Sequence, residues 1–155
     1  MKKLLIILAA IAAISCSDNQ TPPPKQQQST KQCKAKSSSS ININEKAIEK
    51  ILVFYRDYVF GKFTVTDDVI TQYCTKSLAQ KLRDDYDKEF SDGGGYAVWK
   101  FRSGAQDGED IQEIEKIEAL GDNKYFVYYN DMGNKGTRTI TIVVDGEKIL
   151  FDKLQ

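Results

Sequence analysis

The runs Tyr125-Phe126-Val127-Tyr128-Tyr129 and Thr137-Arg138-Thr139-Ile140-Thr141-Ile142-Val143-Val144 decide the fold. In the first, Tyr125, Val127 and Tyr129 alternate with Phe126 and Tyr128. In the second, Arg138, Ile140, Ile142 and Val144 alternate with Thr137, Thr139, Thr141 and Val143. A period of two in β-branched and aromatic residues is the pattern of strands. Asp145-Gly146 reads as a two-residue hairpin turn into a third strand over 149–154, and Gly121-Asp122-Asn123 joins the strand at 125 to one before it. In that earlier segment Ile111, Ile114, Ile117 and Leu120 step by three, a spacing that drifts about 60° per step around a helix. It reads as a bulged strand.

Upstream of Gly93-Gly94-Gly95 the period is helical. Ile48, Ile51, Leu52, Tyr55, Tyr58 and Val59 recur at three- and four-residue spacing, which predicts a helix over 44–60 with Asn42 or Asn44 as its cap and Gly61 as its end. A short second helix follows Thr66 and carries Val69, Ile70 and Tyr73. Thr75 caps a third, where Leu78, Leu82, Tyr86 and Phe90 fall at steps of four. Helices followed by antiparallel strands predict a single α+β domain over 44–155, with the helices packed on one face of a curved antiparallel sheet.

Composition narrows the chemistry. The 155 residues are 41% hydrophobic and 28% charged, with 22 Lys+Arg against 22 Asp+Glu, the balance of a folded protein. Six of the basic residues and one of the acidic residues fall in the first 43, leaving 16 basic against 21 acidic beyond them, a net charge of −5. The overall balance of charge argues against nucleic acid as a partner, and the acidic domain against direct adhesion to anionic headgroups. With no histidine in the chain, Ser-His-Asp and Cys-His nucleophiles, imidazole bases and the usual zinc sites are excluded.

Residues 1–15 have the anatomy of a signal peptide: Lys2 and Lys3, an apolar core over 4–14, and the small Ser15 before Cys16. As a helix that core is about 16 Å long, half the hydrocarbon thickness of about 30 Å, so it does not read as a membrane-spanning anchor. Ala13-Ile14-Ser15-Cys16 resembles the lipobox of bacterial lipoproteins, which implies cleavage before Cys16 and acylation of that residue. Two or more acyl chains give a stable membrane anchor. Ser17 stands where an aspartate signals inner-membrane retention in Gram-negative lipoproteins, so the resemblance implies the outer membrane. Residues 16–43, with Pro22-Pro23-Pro24, Gln26-Gln27-Gln28 and Ser37-Ser38-Ser39-Ser40, are too poor in apolar side chains to offset their ordering entropy and read as a disordered tether. Its reach is about 29 Å.

The densest unusual stretch runs from Tyr96 to Gly108 and holds the only tryptophan. With Tyr73-Cys74-Thr75 and Leu78 upstream and Asp131-Met132-Gly133 downstream, it resembles an uncharacterised family of small Gram-negative lipoproteins with a cystatin-like or nuclear-transport-factor-like domain. The resemblance implies a helix cradled by a curved sheet whose open end is a pocket for small molecules or a docking face. From the residues, the candidate ligand site is Trp99, Arg102, Gln106 and Asp107, with Asp131 from a neighbouring loop and Arg102 pairing with Asp107 or Asp131. Against it stands a loop whose Asp107 caps its own backbone.

Other constellations carry less. Glu109-Asp110 lack the acidic loop and distal glutamate of a calcium site, and no metal or cofactor is expected. Asp84-Asp85 and Asp87 read as a solvated helix face. Cys33 and Cys74 can pair in an oxidising envelope, but one sits in a tether and the other on a helix, and Cys74 reads rather as a buried small hydrophobe. The expected function is a non-enzymatic module binding a small molecule or an envelope protein. The alternatives are a carboxylate-based hydrolase and a cystatin-like inhibitor docking through its hairpin loops.

Replacement of the lipidation residue, Cys16→Ala, is expected to abolish incorporation of labelled palmitate and leave a precursor of altered mobility. Normal labelling of the variant would contradict the signal's reading.

Overall fold

The computed structural model describes residues 35–90 and 92–155. The segment read as a signal peptide, Cys16 and the segment read as a tether, as far as residue 34, lie outside the described residues. The compact unit Cys33–Gln155 begins with helix α1, Ala35–Phe54, which continues through a π-helical turn, Tyr55–Val59. Helices α2, Asp67–Tyr73, and α3, Lys76–Glu89, follow, and then a 3-10 turn, Val98–Phe101. Strands β1, Gln112–Gly121, β2, Lys124–Asp131, β3, Asn134–Asp145, and β4, Lys148–Leu154, form one antiparallel sheet in the order β1-β2-β3-β4. This is the α+β architecture expected: helices first, then an open sheet on which they pack.

Helix α1 starts earlier than its apolar period, so residues 35–43, expected within the tether, are helical. A helix nucleated by packing extends at little cost, and serine is only modestly worse than alanine within one. Asn42 and Asn44 are therefore inside the helix rather than at its cap, and Asn44 Oδ1 instead accepts a hydrogen bond from Tyr125 at 2.8 Å. The buried face is Ala47, Ile51, Phe54 and Tyr55, while Leu52 is 44% exposed. In the π turn, Phe60 N–H reaches back five residues to Tyr55 O at 2.8 Å, and this wider turn lets Tyr55 and Val59 both face the core. Gly61 ends the turn for want of space, since a Cβ there would lie 2.2 Å from Asp57 O.

Thr66 and Thr75 cap α2 and α3 as expected, their hydroxyls accepting from Val69 N–H at 3.4 Å and Leu78 N–H at 3.3 Å. Between these helices Cys74 and Thr75 are extended and lie against β4, with Thr75 N–H donating to Phe151 O at 2.8 Å. That contact covers part of an edge strand which would otherwise expose unpaired backbone groups.

Strand β1 is bulged, with register shifts at Ile114/Lys116 and Ala119/Gly121. Asp122-Asn123 and Met132-Gly133 have positive φ at both turn positions, the geometry that twists with a hairpin. The third turn differs slightly from expectation: Asp145 pairs with Lys148, so its two residues are Gly146 and Glu147, with positive φ at Gly146 alone. The sheet's buried face carries Tyr125, Val127, Tyr129, Ile140, Ile142, Ile149 and Phe151.

Phe101 fills the space between this face and α1. Its ring is fully buried, 5.0 Å from Phe54 and 6.1 Å from Tyr55 between centroids. Three consecutive carbonyls around it are held by side chains: Arg138 donates to Lys100 O at 2.7 Å and Arg102 O at 2.7 Å, and Tyr55 hydroxyl donates to Phe101 O at 2.7 Å. From the other side, Ala97 N–H donates to Leu82 O of α3 at 3.0 Å. Burial of a phenylalanine contributes about 1.5–3 kcal/mol, and removing one also leaves a cavity.

Because the unit carries its own core, residues 35–155 alone are expected to unfold in one cooperative step. Phe101→Ala should cost about 3–5 kcal/mol in urea denaturation. A loss below about 1 kcal/mol would contradict the role of Phe101 as the plug of the core.

Candidate functional site

The stretch 96–108 divides into two parts with different fates. Its first half closes the core. Trp99 stands half-buried on the 3-10 turn, 5.7 Å from Tyr86 and 5.5 Å from Phe90, and so extends the aromatic packing at the end of α3. Arg102 pairs with Asp131 at 3.3 Å. Asp131 has no exposed surface, and its carboxylate also accepts from Ser103 hydroxyl at 2.5 Å, Ser103 N–H at 3.2 Å and Gln112 amide at 3.1 Å. Burial pushes this carboxyl up. The bonds from Ser103 and Gln112, with the Arg102 charge, outweigh burial and hold it below the usual carboxylate range. Its lone pairs are committed to the chain itself.

The second half is an exposed loop. Gln106 and Asp107 are exposed and make no side-chain hydrogen bond among the described residues, so Asp107 neither caps its own loop nor joins Asp131. Gly108 follows under tight constraint, since a Cβ there would meet Met132 O at 2.0 Å, and Glu109 N–H donates to that carbonyl at 3.0 Å. The five residues therefore form no common site: Trp99 belongs to an aromatic cluster, Arg102 and Asp131 to a structural clamp, and Gln106 and Asp107 to solvent. No described cleft has any of the five in its wall. Phe101 and Tyr55 are fully buried against the sheet's inner face, near Phe151 and Tyr129, and a smaller cleft of about 300 Å³ lies between Tyr55, Phe60 and the start of β1 at Gln112–Ile114.

A larger hollow lies elsewhere, between α2, α3 and β4. This cleft of about 520 Å³ is lined by Asp67, Ile70, Thr71, Cys74, Lys76, Ala79, Gln80, Arg83, Tyr96 and Leu150. Its volume falls within the range of small-molecule sites. The break between α2 and α3 creates it, because the extended Cys74-Thr75 pair holds the two helices apart while tying both to Phe151. Ile70 and Cys74 are buried in its floor, with Ala79 and Leu150 half-buried beside them.

One end of the cleft is a polar cluster. Tyr96 hydroxyl donates to Asp67 at 2.7 Å, Arg83 donates to both Asp67 and Tyr96, and the Arg83 guanidinium lies over the Tyr96 ring, 4.7 Å from its centroid. Hydrogen bonds from Tyr96 and Arg83 hold the Asp67 carboxyl below its usual value. Burial, followed by the bond to Asp67, raises the Tyr96 phenol. Cys74, a free thiol, is pushed up to about 12 by burial, so it sits in the floor as an uncharged apolar group rather than a nucleophile. Cys33 lies outside the described residues. No group of three or more potential metal-ligating residues occurs among the described residues.

Of the cleft's residues, Ile70, Cys74 and Tyr96 were legible in the sequence, as helix, core and loop residues, but not as the wall of one cleft. Asp67, Arg83 and Tyr96 are brought together across 13 and 29 positions, and no local pattern announces such a meeting.

No family model and no curated protein matches the chain. Among solved structures it is similar to a crystal structure of a protein of unknown function from Bacteroides thetaiotaomicron VPI-5482, with 21% sequence identity and a TM-score of 0.56. The match covers 78% of this chain and 97% of that one. At this identity the likeness extends to the fold alone.

The clamp and the loop should respond oppositely to truncation. Asp131→Ala is expected to cost about 3–5 kcal/mol at neutral pH, because it strands a partly buried Arg102, while Asp107→Ala stays within about 0.5 kcal/mol of wild type. A carboxyl held low in the folded state contributes stability above its unfolded value of about 3.9, lost as pH falls through the lower folded value. The gap between wild type and Asp131→Ala should therefore narrow in acid. Thermal melts across pH check this; a gap unchanged in acid would contradict it.

Proposed function

We propose that this protein is a cell-envelope lipoprotein, held in the outer membrane by the lipid on Cys16, whose domain is a non-enzymatic module binding a small molecule in the α2–α3 cleft. The observation that carries the binding site is the cleft itself: an apolar floor of Ile70, Cys74, Ala79 and Leu150 with a preformed polar cluster at one end. Sites for small molecules have this composition, mostly apolar with a few polar groups that fix orientation. The lipobox-like Ala13-Ile14-Ser15-Cys16 supports the anchor.

Binding is favoured over carboxylate-based hydrolysis by the composition of the cleft, whose wall holds one carboxylate, Asp67, where a glycosidase-type site needs two. Asp67 is moreover tied up by Tyr96 and Arg83, which hold it below its ordinary value.

The test is retention of ligand. Protein purified from its own envelope without denaturation should carry a small molecule detectable by native mass spectrometry, and Thr71→Trp, which puts an indole at an exposed position of the cleft wall, should lose it while melting like wild type. Equal retention by both proteins, or none by either, would contradict the reading.

A further inference from the structure

The two edges of the sheet differ in what covers them. Beside β4 the extended Cys74-Thr75 pair lies along Phe151 and covers part of that edge. Strand β1, at the other end of the order β1-β2-β3-β4, has a strand partner on one side only among the described residues, so half of its backbone N–H and C=O groups point outward without a ladder. Exposed large apolar side chains gather beside it: Ile111 at its entry, Leu120 near its end, and Leu52 of α1 in the cleft that Ile114 helps to line. The bulges of β1, at Ile114/Lys116 and Ala119/Gly121, leave a regular stretch between them, Lys116–Ala119, whose residues pair in turn with Tyr128, Val127, Phe126 and Tyr125.

On the sheet's outer face, Lys116 and Glu118 form an ion pair beside Tyr128, whose hydroxyl donates to Glu118 at 3.0 Å and whose ring centroid lies 5.9 Å from the Lys116 nitrogen. Between them Ile117 is half-buried and turns to the core with Val127. When a strand pairs antiparallel with its own copy about a two-fold axis through Ile117, each residue before Ile117 faces the residue equally far beyond it. Lys116 then faces Glu118 of the second copy, Glu118 faces its Lys116, and Ile117 faces Ile117. The four charges make a square of alternating sign. An axis through Lys116 or Glu118 would instead set that charge against itself, which destabilises a strand pair, and one through Ala119 runs at once into the second bulge. The charges that guard this edge against other registers thus admit one.

We propose that β1 is the interaction surface for a second copy of this chain, paired antiparallel about Ile117 so that the two sheets join into one. The charge pattern selects a second copy over an unrelated strand, because Lys116-Ile117-Glu118 complements itself when reversed. In this register Leu120 of one copy comes level with Ile114 of the other, at the cleft of about 300 Å³ beside Leu52. The exposed apolar groups along the edge are thereby brought together. The α2–α3 cleft lies by the opposite edge, against β4, and stays open in the pair.

Sedimentation of residues 17–155, which keep the whole compact unit without the acylated position, tests the pairing. Wild type is expected to approach twice its monomer mass as concentration rises to about 1 mM, the effective concentration of modules joined by a short linker. Lys116→Glu and Glu118→Lys each set like charges opposite one another and should weaken association about tenfold or more. Mixed in equal amounts, the two variants face each other with opposite charges at both pairs of positions, and the mixture should associate as tightly as wild type. The Lys116 and Glu118 side chains keep 61% and 36% of their surface in the single chain, so both variants should melt close to wild type. Wild type that stays monomeric throughout would overturn the proposal. A dimer indifferent to both reversals, or a mixture that associates no more tightly than either variant alone, would overturn it as well, by placing the contact elsewhere or in another register.

Discussion

Four anchors within a few residues hold this domain closed. The carbonyls of Lys100, Phe101 and Arg102 accept from Arg138 and Tyr55, and Ser103 donates twice to the buried carboxylate of Asp131. Two of these anchors, at Phe101 O and at the Asp131 carboxylate, satisfy polar groups that would be costly to bury alone. Arg138 and Asp131 come from the sheet and Tyr55 from the continuation of α1, so one short segment ties both layers together. Phe101 is driven between them and touches Phe54, Tyr55 and Phe151, the aromatic centre of the core.

That closure leaves the candidate site elsewhere. With Phe101 and Tyr55 buried between helix and sheet, the more voluminous of the described clefts is the one that α2 and α3 build against β4. The same segment contributes there too, because Tyr96, just before the plug, reaches Asp67 and Arg83. Core closure and cleft polarity thus share one strip of backbone, held to α3 by the bond from Ala97 N–H to Leu82 O.

Features governed by local chemistry were legible in the sequence. Thr66 and Thr75 cap helices because a hydroxyl ahead of an apolar period satisfies an orphan N–H, and Asp122-Asn123 turns a hairpin because these side chains tolerate positive φ. The three-residue stepping at Ile114 and Ile117 marked a real bulge. What escaped is long-range. The segment 96–103 is rich in aromatic and polar groups because it must insert a ring and meet Tyr55 and Arg138, 46 and 36 positions away; from the sequence that density reads as a binding site. Asp131 misleads in the same way, since a charged residue at a strand end suggests a ligand until its partners are seen to be Ser103, Gln112 and Arg102. The start of α1 also escaped, because helix extension into a serine-rich run depends on packing further along the chain.

Native-state amide hydrogen exchange tests this account most directly. If the segment is pinned as described, the amides of Ala97, Arg102 and Ser103, which donate to Leu82 O, Trp99 O and the Asp131 carboxylate, exchange only through global unfolding, with the same opening free energy as Val127 in the central strand β2. Exchange of these three amides through local opening, at rates like those of the exposed loop at Gln106 and Asp107, would show that the plug is not what closes the fold.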